Sequence, residues 1–202
     1  MIHEWWGLND NVKHWTDRMA AEGYAALAVD LYGGQVATSS TEAMALMQAV
    51  AQERALALAR LRAAATLLRT DPRARGGADA PAPKLGVIGW CFGGAQSLQL
   101  ALNDPDLAAA VIYYGQLEAD PARLRSIKAA VLGVFGTRDP SIPQETVDAF
   151  DRGLTDAGVV HELHRFDAEH AFANPSNPRY QSEAAAEAWA RVRTFLARHL
   201  RP

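Results

Sequence analysis

The chain has 202 residues, 49% hydrophobic and 21% charged, with a formal net charge of −3. That length and mix fit one soluble domain over 1–202 with a sizeable core, and the weak negative charge offers no grip on nucleic acid or anionic lipid. A single cysteine excludes an internal disulfide framework and points to a reducing, cytoplasmic setting, and no apolar run reaches the roughly 20 residues that span a bilayer.

The opening "MIHEWWGLND" has neither the basic n-region nor the apolar h-region of a secretory signal. Val12–Glu22 then predicts a helix behind the capping residues Asn9 and Asp10. Tyr24–Val29 ("YAALAV") predicts a short buried strand, closed by Asp30. Thr41–Thr70 predicts one long Ala/Leu/Arg-rich helix entered through Ser39 and Ser40. Asp71–Pro83, rich in Gly, Pro and Ala, predicts a flexible surface loop inside the domain. Leu85–Ile88, Ala109–Tyr114 and Ala129–Phe135 are continuous apolar runs that suit strands buried on both faces. His161–Phe166 alternates and predicts a more exposed strand. Helices are expected at Gly94–Leu102, at Gln144–Ala157 after Pro143, and at Ser182–His199. Strands alternating with helices make this an α/β chain, with a mostly parallel sheet and helices on both faces.

The only cysteine lies in "IGWCFGG", residues 88–94. A lone cysteine is ordinarily buried and inert. This one follows a strand and opens a helix, in the nucleophile-elbow pattern G-x-Nuc-x-G. A nucleophile there sits on a sharp, strained turn, where side chains at Gly89 and Gly93 would clash with the backbone. The helix N-terminus favours a thiolate, and so does a protonated histidine. An ordinary thiol, of pKa about 8.5, is only a few per cent ionised at pH 7 and needs such partners.

A triad in this fold runs nucleophile, acid, histidine. Asp139, in "FGTRDP", follows the strand at 129–135, and His170, in "DAEHAF", follows the last strand. Both are loop residues at strand C-terminal ends, where such sheets keep their chemistry. His161 and His164 stand three apart on a strand, hence on opposite faces, and share no metal. His14 and His199 lie on helices as surface or packing residues. With no Cys/His cluster, no metal and no cofactor is expected.

At this point the sequence resembles the dienelactone hydrolase family, within the α/β-hydrolases, along nearly its whole length. The anchors are "HEWWGLN" at 3–9, "AVDLYGG" at 28–34, "GWCFGG" at 89–94, "GTRDP" at 136–140 and "EHAF" at 169–172. The resemblance implies hydrolysis of a lactone or carboxylic ester, of the carboxymethylenebutenolidase type. It implies Cys91 as nucleophile, Asp139 as orienting acid and His170 as base. Glu4 would match the glutamate beside the nucleophile. The backbone N–H groups of Trp5 and Phe92 would form the oxyanion hole, and Trp6 and Tyr32 would wall the substrate pocket.

The chain departs from the family in two places. Members usually carry one or more strands before "HEWWG", and here only Met1-Ile2-His3 stand before that loop, so the chain reads as lacking the N-terminal strand or strands. An exposed sheet edge would follow, with monomer and homodimer both open. Members that take dienelactone itself place arginines to hold its carboxylate. Here "DLY" is followed by Gly33-Gly34-Gln35, and no arginine follows His170 until Arg179. A related lactone or ester fits at least as well as the anionic dienelactone. Other readings stay open: a glutamine amidotransferase, a non-catalytic ligand-binding protein of the same fold, or a redox-sensing cysteine.

Overall fold

The computed structural model describes residues 1–77 and 81–201. Helix α1 (Asp10–Ala21) opens at Asn9, whose side chain accepts from the Val12 N–H and satisfies an orphan donor of the first turn. Asp10 is its first residue rather than part of the cap, and Val12, Trp15 and Met19 line its inward face. The long helix expected over 41–70 is two helices, α2 (Ser40–Gln52) and α3 (Arg54–Thr70). Glu53 between them leaves helical geometry at φ −112°, ψ 45°. An unbroken rod would run about 45 Å. The break lets α3 turn Ala57, Leu61 and Ala65 inward, whereas α2 buries only Ala43. The expected loop at 71–83 is also corrected: Asp71 accepts from the Arg73 N–H and caps a short α4 (Pro72–Arg75). Residues 78–80 of that stretch lie outside the described residues.

Then follow β1 (Leu85–Trp90), α5 (Phe92–Asn103), β2 (Leu107–Tyr113), α6 (Pro121–Leu124), β3 (Ala130–Gly136), α7 (Gln144–Ala157), β4 (His161–Phe166) and α8 (Ser182–Leu200). The strands form a parallel sheet in the order β1-β2-β3-β4. Parallel neighbours need long crossovers, and the segments carrying α5, α6 and α7 supply them. The central strands β2 and β3 are buried almost end to end, while β4, at the edge, is half-buried. Its alternating sequence predicted that.

Successive strand residues point to opposite faces, so the sheet carries two cores. Val87, Ile112 and Phe135 pack with Leu61 of α3, Leu98 of α5 and Phe150 of α7. Ile88, Val111 and Val134 pack on the other face with Trp15 of α1 and Trp189 of α8. Apolar runs were needed in these strands because each of their faces meets helices.

The strand expected at 24–29 does not form. Among the described residues, the sheet continues past β1 only through single parallel bridges from Ile2 to Gly89 and from Ile2 to Val29. The Ile2 N–H donates to the Ile88 carbonyl at 2.8 Å, and the Val29 N–H donates to the Met1 carbonyl at 2.9 Å. A ladder needs a partner of several residues. Met1–Ile2 offers Val29 a single bridge, so "YAALAV" stays irregular despite its apolar content.

Ile112 is fully buried in β2. Ile112→Ala should lower stability by about 2–5 kcal/mol. Urea unfolding should show a reduced midpoint with little change in slope.

Candidate active site

Cys91 sits between β1 and α5 with φ 54° and ψ −115°, outside the regions that residues with a Cβ prefer. Its N–H donates to the Tyr113 carbonyl at 2.9 Å, which fixes the turn to β2. A Cβ at Gly89 would stand 2.1 Å from the Gly93 carbonyl oxygen. One at Gly93 would stand 2.4 Å from the Ile2 oxygen and 2.6 Å from that of His3. The elbow glycines are therefore dictated by close approach, as the motif predicted. Gly93 also lets the N-terminal segment lie directly on the elbow, which brings the loop from His3 to Gly7 to the site.

β3 and β4 deliver the other two predicted residues. His170 Nδ1 and Asp139 Oδ2 are 2.7 Å apart, and the Asp139 side chain is completely buried. Asp139 Oδ1 accepts from the backbone N–H groups of Ser141 at 2.8 Å and Ile142 at 3.3 Å. The carboxylate is thus held by a turn it caps itself, and only one edge of it faces the imidazole. Burial alone would lower the His170 pKa. The Asp139 carboxylate and Cys91 outweigh it through hydrogen bonding and charge, and push the imidazole up to about 10. The direction favours the charged form of the ring. Tyr114 packs its ring 5.1 Å from that of His170 and is itself strained, at φ 36°.

Glu4 is buried, 5% exposed. Burial raises its carboxyl pKa to about 7, against the opposing pull of Asn174, His170 and Tyr114. Asn174 Nδ2 donates to Glu4 Oε2, while Oε1 has no hydrogen-bond partner among the described residues. His3 braces the same loop from behind. Its Nε2 accepts from the Leu31 N–H at 3.1 Å, so Nδ1 carries the proton and donates to the Glu4 carbonyl at 2.6 Å. His3, Tyr114 and Asn174 were not singled out from the sequence. Their only signal was proximity in the chain to Glu4, to the end of β2 and to His170.

Phe92 is the first residue of α5, so its N–H is one of the uncommitted donors of a helix start. Trp5 packs edge-on against Trp6, at 5.0 Å between ring centroids. Tyr32 is buried against His3 and Phe92, and its hydroxyl lacks a partner among the described residues. Arg179 is engaged by Glu169 at 2.9 Å, and Arg138 by Asp167 at 3.0 Å. His161 bonds Asp151 at 2.8 Å, and no metal-binding cluster occurs among the described residues. A cavity of about 270 Å³ lies elsewhere, against the Leu85 end of β1 rather than at Cys91.

The raised Glu4 pKa sets a sign for stability. Between about 4.5 and 7 the folded state holds a proton on Glu4 that the unfolded state has lost. The stability this proton contributes is complete below that window and is lost as pH rises through it. Glu4→Gln should remove the decline, so urea unfolding between pH 4.5 and 7 should show the wild type losing stability relative to the variant.

Residues 1–200 match the dienelactone hydrolase family. A Methylorubrum extorquens protein provisionally named a carboxymethylenebutenolidase is 29% identical over 212 residues, spanning 98% of this chain and 71% of that protein. One from Saccharolobus solfataricus, under the same provisional name, is 30% identical over 234 residues, spanning 98% and 88%. The crystal structure of a provisionally named dienelactone hydrolase from Klebsiella pneumoniae superimposes with a TM-score of 0.82 at 30% identity, over 97% of this chain and 84% of that one. That of a dienelactone hydrolase-like promiscuous phosphotriesterase from metagenomic libraries gives 0.86 at 28% identity, over 98% and 84%. Agreement along the whole length, in sequence and in fold together, establishes that this chain belongs to the dienelactone hydrolase family, among the α/β-hydrolases.

Proposed function

We propose that the chain hydrolyses a lactone or carboxylic ester, as a carboxymethylenebutenolidase-type enzyme, with Cys91 as nucleophile, His170 as base and Asp139 as orienting acid. The observation that carries this reading is the Asp139–His170 bond at 2.7 Å, with Cys91 bearing on the same imidazole from a strained elbow. Whole-chain similarity to relatives bearing that provisional name supports the reaction class.

The steps follow from the residues. The Cys91 thiolate attacks the carbonyl carbon, and the resulting oxyanion is met by the backbone N–H groups of Trp5 and Phe92. Two such donors in a water-poor site make a large contribution; losing one comparable side-chain donor costs roughly 3 kcal/mol. The tetrahedral adduct collapses, the acyl C–O bond breaks, and the departing oxygen takes a proton from His170. His170, now neutral, removes a proton from water, which attacks the thioester. The acid product leaves and the thiolate–imidazolium pair is restored. Asp139 keeps the imidazole in one tautomer and stabilises its charged form. Trp6 and Tyr32 wall the substrate, and Glu4 supplies a buried, titratable carboxyl beside the elbow.

The arginine pairings bear on substrate charge. Arg179 and Arg138 are each engaged by a carboxylate, which disfavours either as a clamp for an anionic substrate. A neutral enol-lactone or an ester with a good leaving group fits better.

Cys91→Ala should abolish turnover of an enol-lactone and of an activated aryl ester, by roughly a thousandfold or more. Asp139→Asn should cost roughly 100- to 10,000-fold in kcat. Steady-state kinetics on folded variants would measure both. Undiminished turnover by Cys91→Ala, or lactone binding without hydrolysis by the wild type, would overturn the reading.

A further inference from the structure

Asn174 belongs to the loop after β4, four positions beyond His170, and is 4% exposed. Its Oδ1 accepts from the Ser176 N–H at 2.8 Å. That contact settles the orientation of the amide: turning it over would set NH2 against N–H and a carbonyl oxygen against a carboxylate. Nδ2 therefore faces Glu4 and donates to Oε2. The backbone is tied as well, with the Asn174 N–H on the Ala171 carbonyl and the Asn177 N–H on that of Asn174, each at 3.0 Å. Ala171, between His170 and Asn174, is held at φ 64°, a conformation that persists only where surrounding contacts enforce it.

We propose that Asn174 is the positioning residue that sets the charge of Glu4, and through Glu4 the reactivity of the Cys91 thiol. The inference rests on the reading of Cys91 as nucleophile. Glu4 has no other hydrogen-bond donor of good geometry among the described residues. An amide donor favours the carboxylate over the acid without adding a charge of its own. The other titratable groups acting around it are His170, which favours the anion, and Tyr114, whose hydroxyl lies close without a well-aligned bond. Cys91 acts in turn on His170 and on Tyr114, and His3 bonds the backbone carbonyl of Glu4 rather than its carboxyl. One loop thus presents the base and, four residues later, the group that governs the neighbouring carboxyl.

Two readouts on the full chain test this. Infrared difference spectroscopy across pH follows the protonated-carboxyl band, identified as that of Glu4 by its loss in Glu4→Gln. In Asn174→Ala its midpoint should move up by about 1–2 pH units, the effect of a lost hydrogen bond to a charged group. Asn174→Asp, nearly isosteric, should move it at least as far, because two adjoining carboxyls share one proton. The rate of Cys91 alkylation by iodoacetamide, measured across pH, should show a step that shifts with the band in both variants. That shift should vanish when the Asn174 change is made in Glu4→Gln. A structural role alone would slow alkylation at every pH and persist in Glu4→Gln. Coincident infrared midpoints in wild type and both variants would overturn the proposal, as would an alkylation shift undiminished in Glu4→Gln. Neither readout requires turnover, so failure of the hydrolase reading would show separately, as activity retained by Cys91→Ala.

Discussion

Everything at the site depends on Cys91 being held at a backbone conformation it would not choose. At φ 54° a residue with a Cβ carries strain on the order of 1–3 kcal/mol, tolerable only if the surroundings over-determine it. Here they do. β1 is buried and paired with β2, the Cys91 N–H is taken by Tyr113, and α5 starts at once with Gly93 pressed against the carbonyls of Ile2 and His3. The strained turn places Cys91 at the N-cap of α5. The same contact presses the N-terminal segment onto the elbow, so that Glu4 and Trp5 reach the site from a loop early in the chain.

The second constraint is electrostatic. Four ionisable side chains gather at the site: Glu4 and Asp139 are nearly or wholly buried, and His170 and Cys91 are partly so. Burying charge is costly unless each group finds a counter-charge or a hydrogen bond. Asp139 has two backbone donors and the imidazole. His170 gains Asp139 and Cys91, which outweigh its own burial. Burial pushes the Glu4 carboxyl up to about 7, opposed by its one amide donor, and its other oxygen has no partner among the described residues.

Legibility in the sequence followed the range of the interactions. β2, β3, α7 and α8 were readable because apolar runs and helical periodicity are local signals that packing reinforced. The elbow was readable because its glycines, its nucleophile and the following helix are adjacent in the chain. The break at Glu53 was not, since nothing in "QAVAQERAL" interrupts a helical pattern; α3 turns away to pack on β1 and α5. "YAALAV" looked like a strand because its composition is apolar, but a strand also needs a partner, and Met1–Ile2 gives it one bridge.

The sequence by itself determined the α/β alternation, the nucleophile-like setting of Cys91 and the order cysteine, aspartate, histidine. Those are properties of short stretches, where steric limits and hydrophobic periodicity act between near neighbours. Only the tertiary structure decided that Asp139 and His170 meet at 2.7 Å across two strand ends. Only it decided that Asn174 grips Glu4 across 170 positions, and that His3 stands neutral behind the loop. The physical reason is that charge state and hydrogen-bond partnership depend on distance and burial, and the sheet brings together residues that the chain keeps far apart.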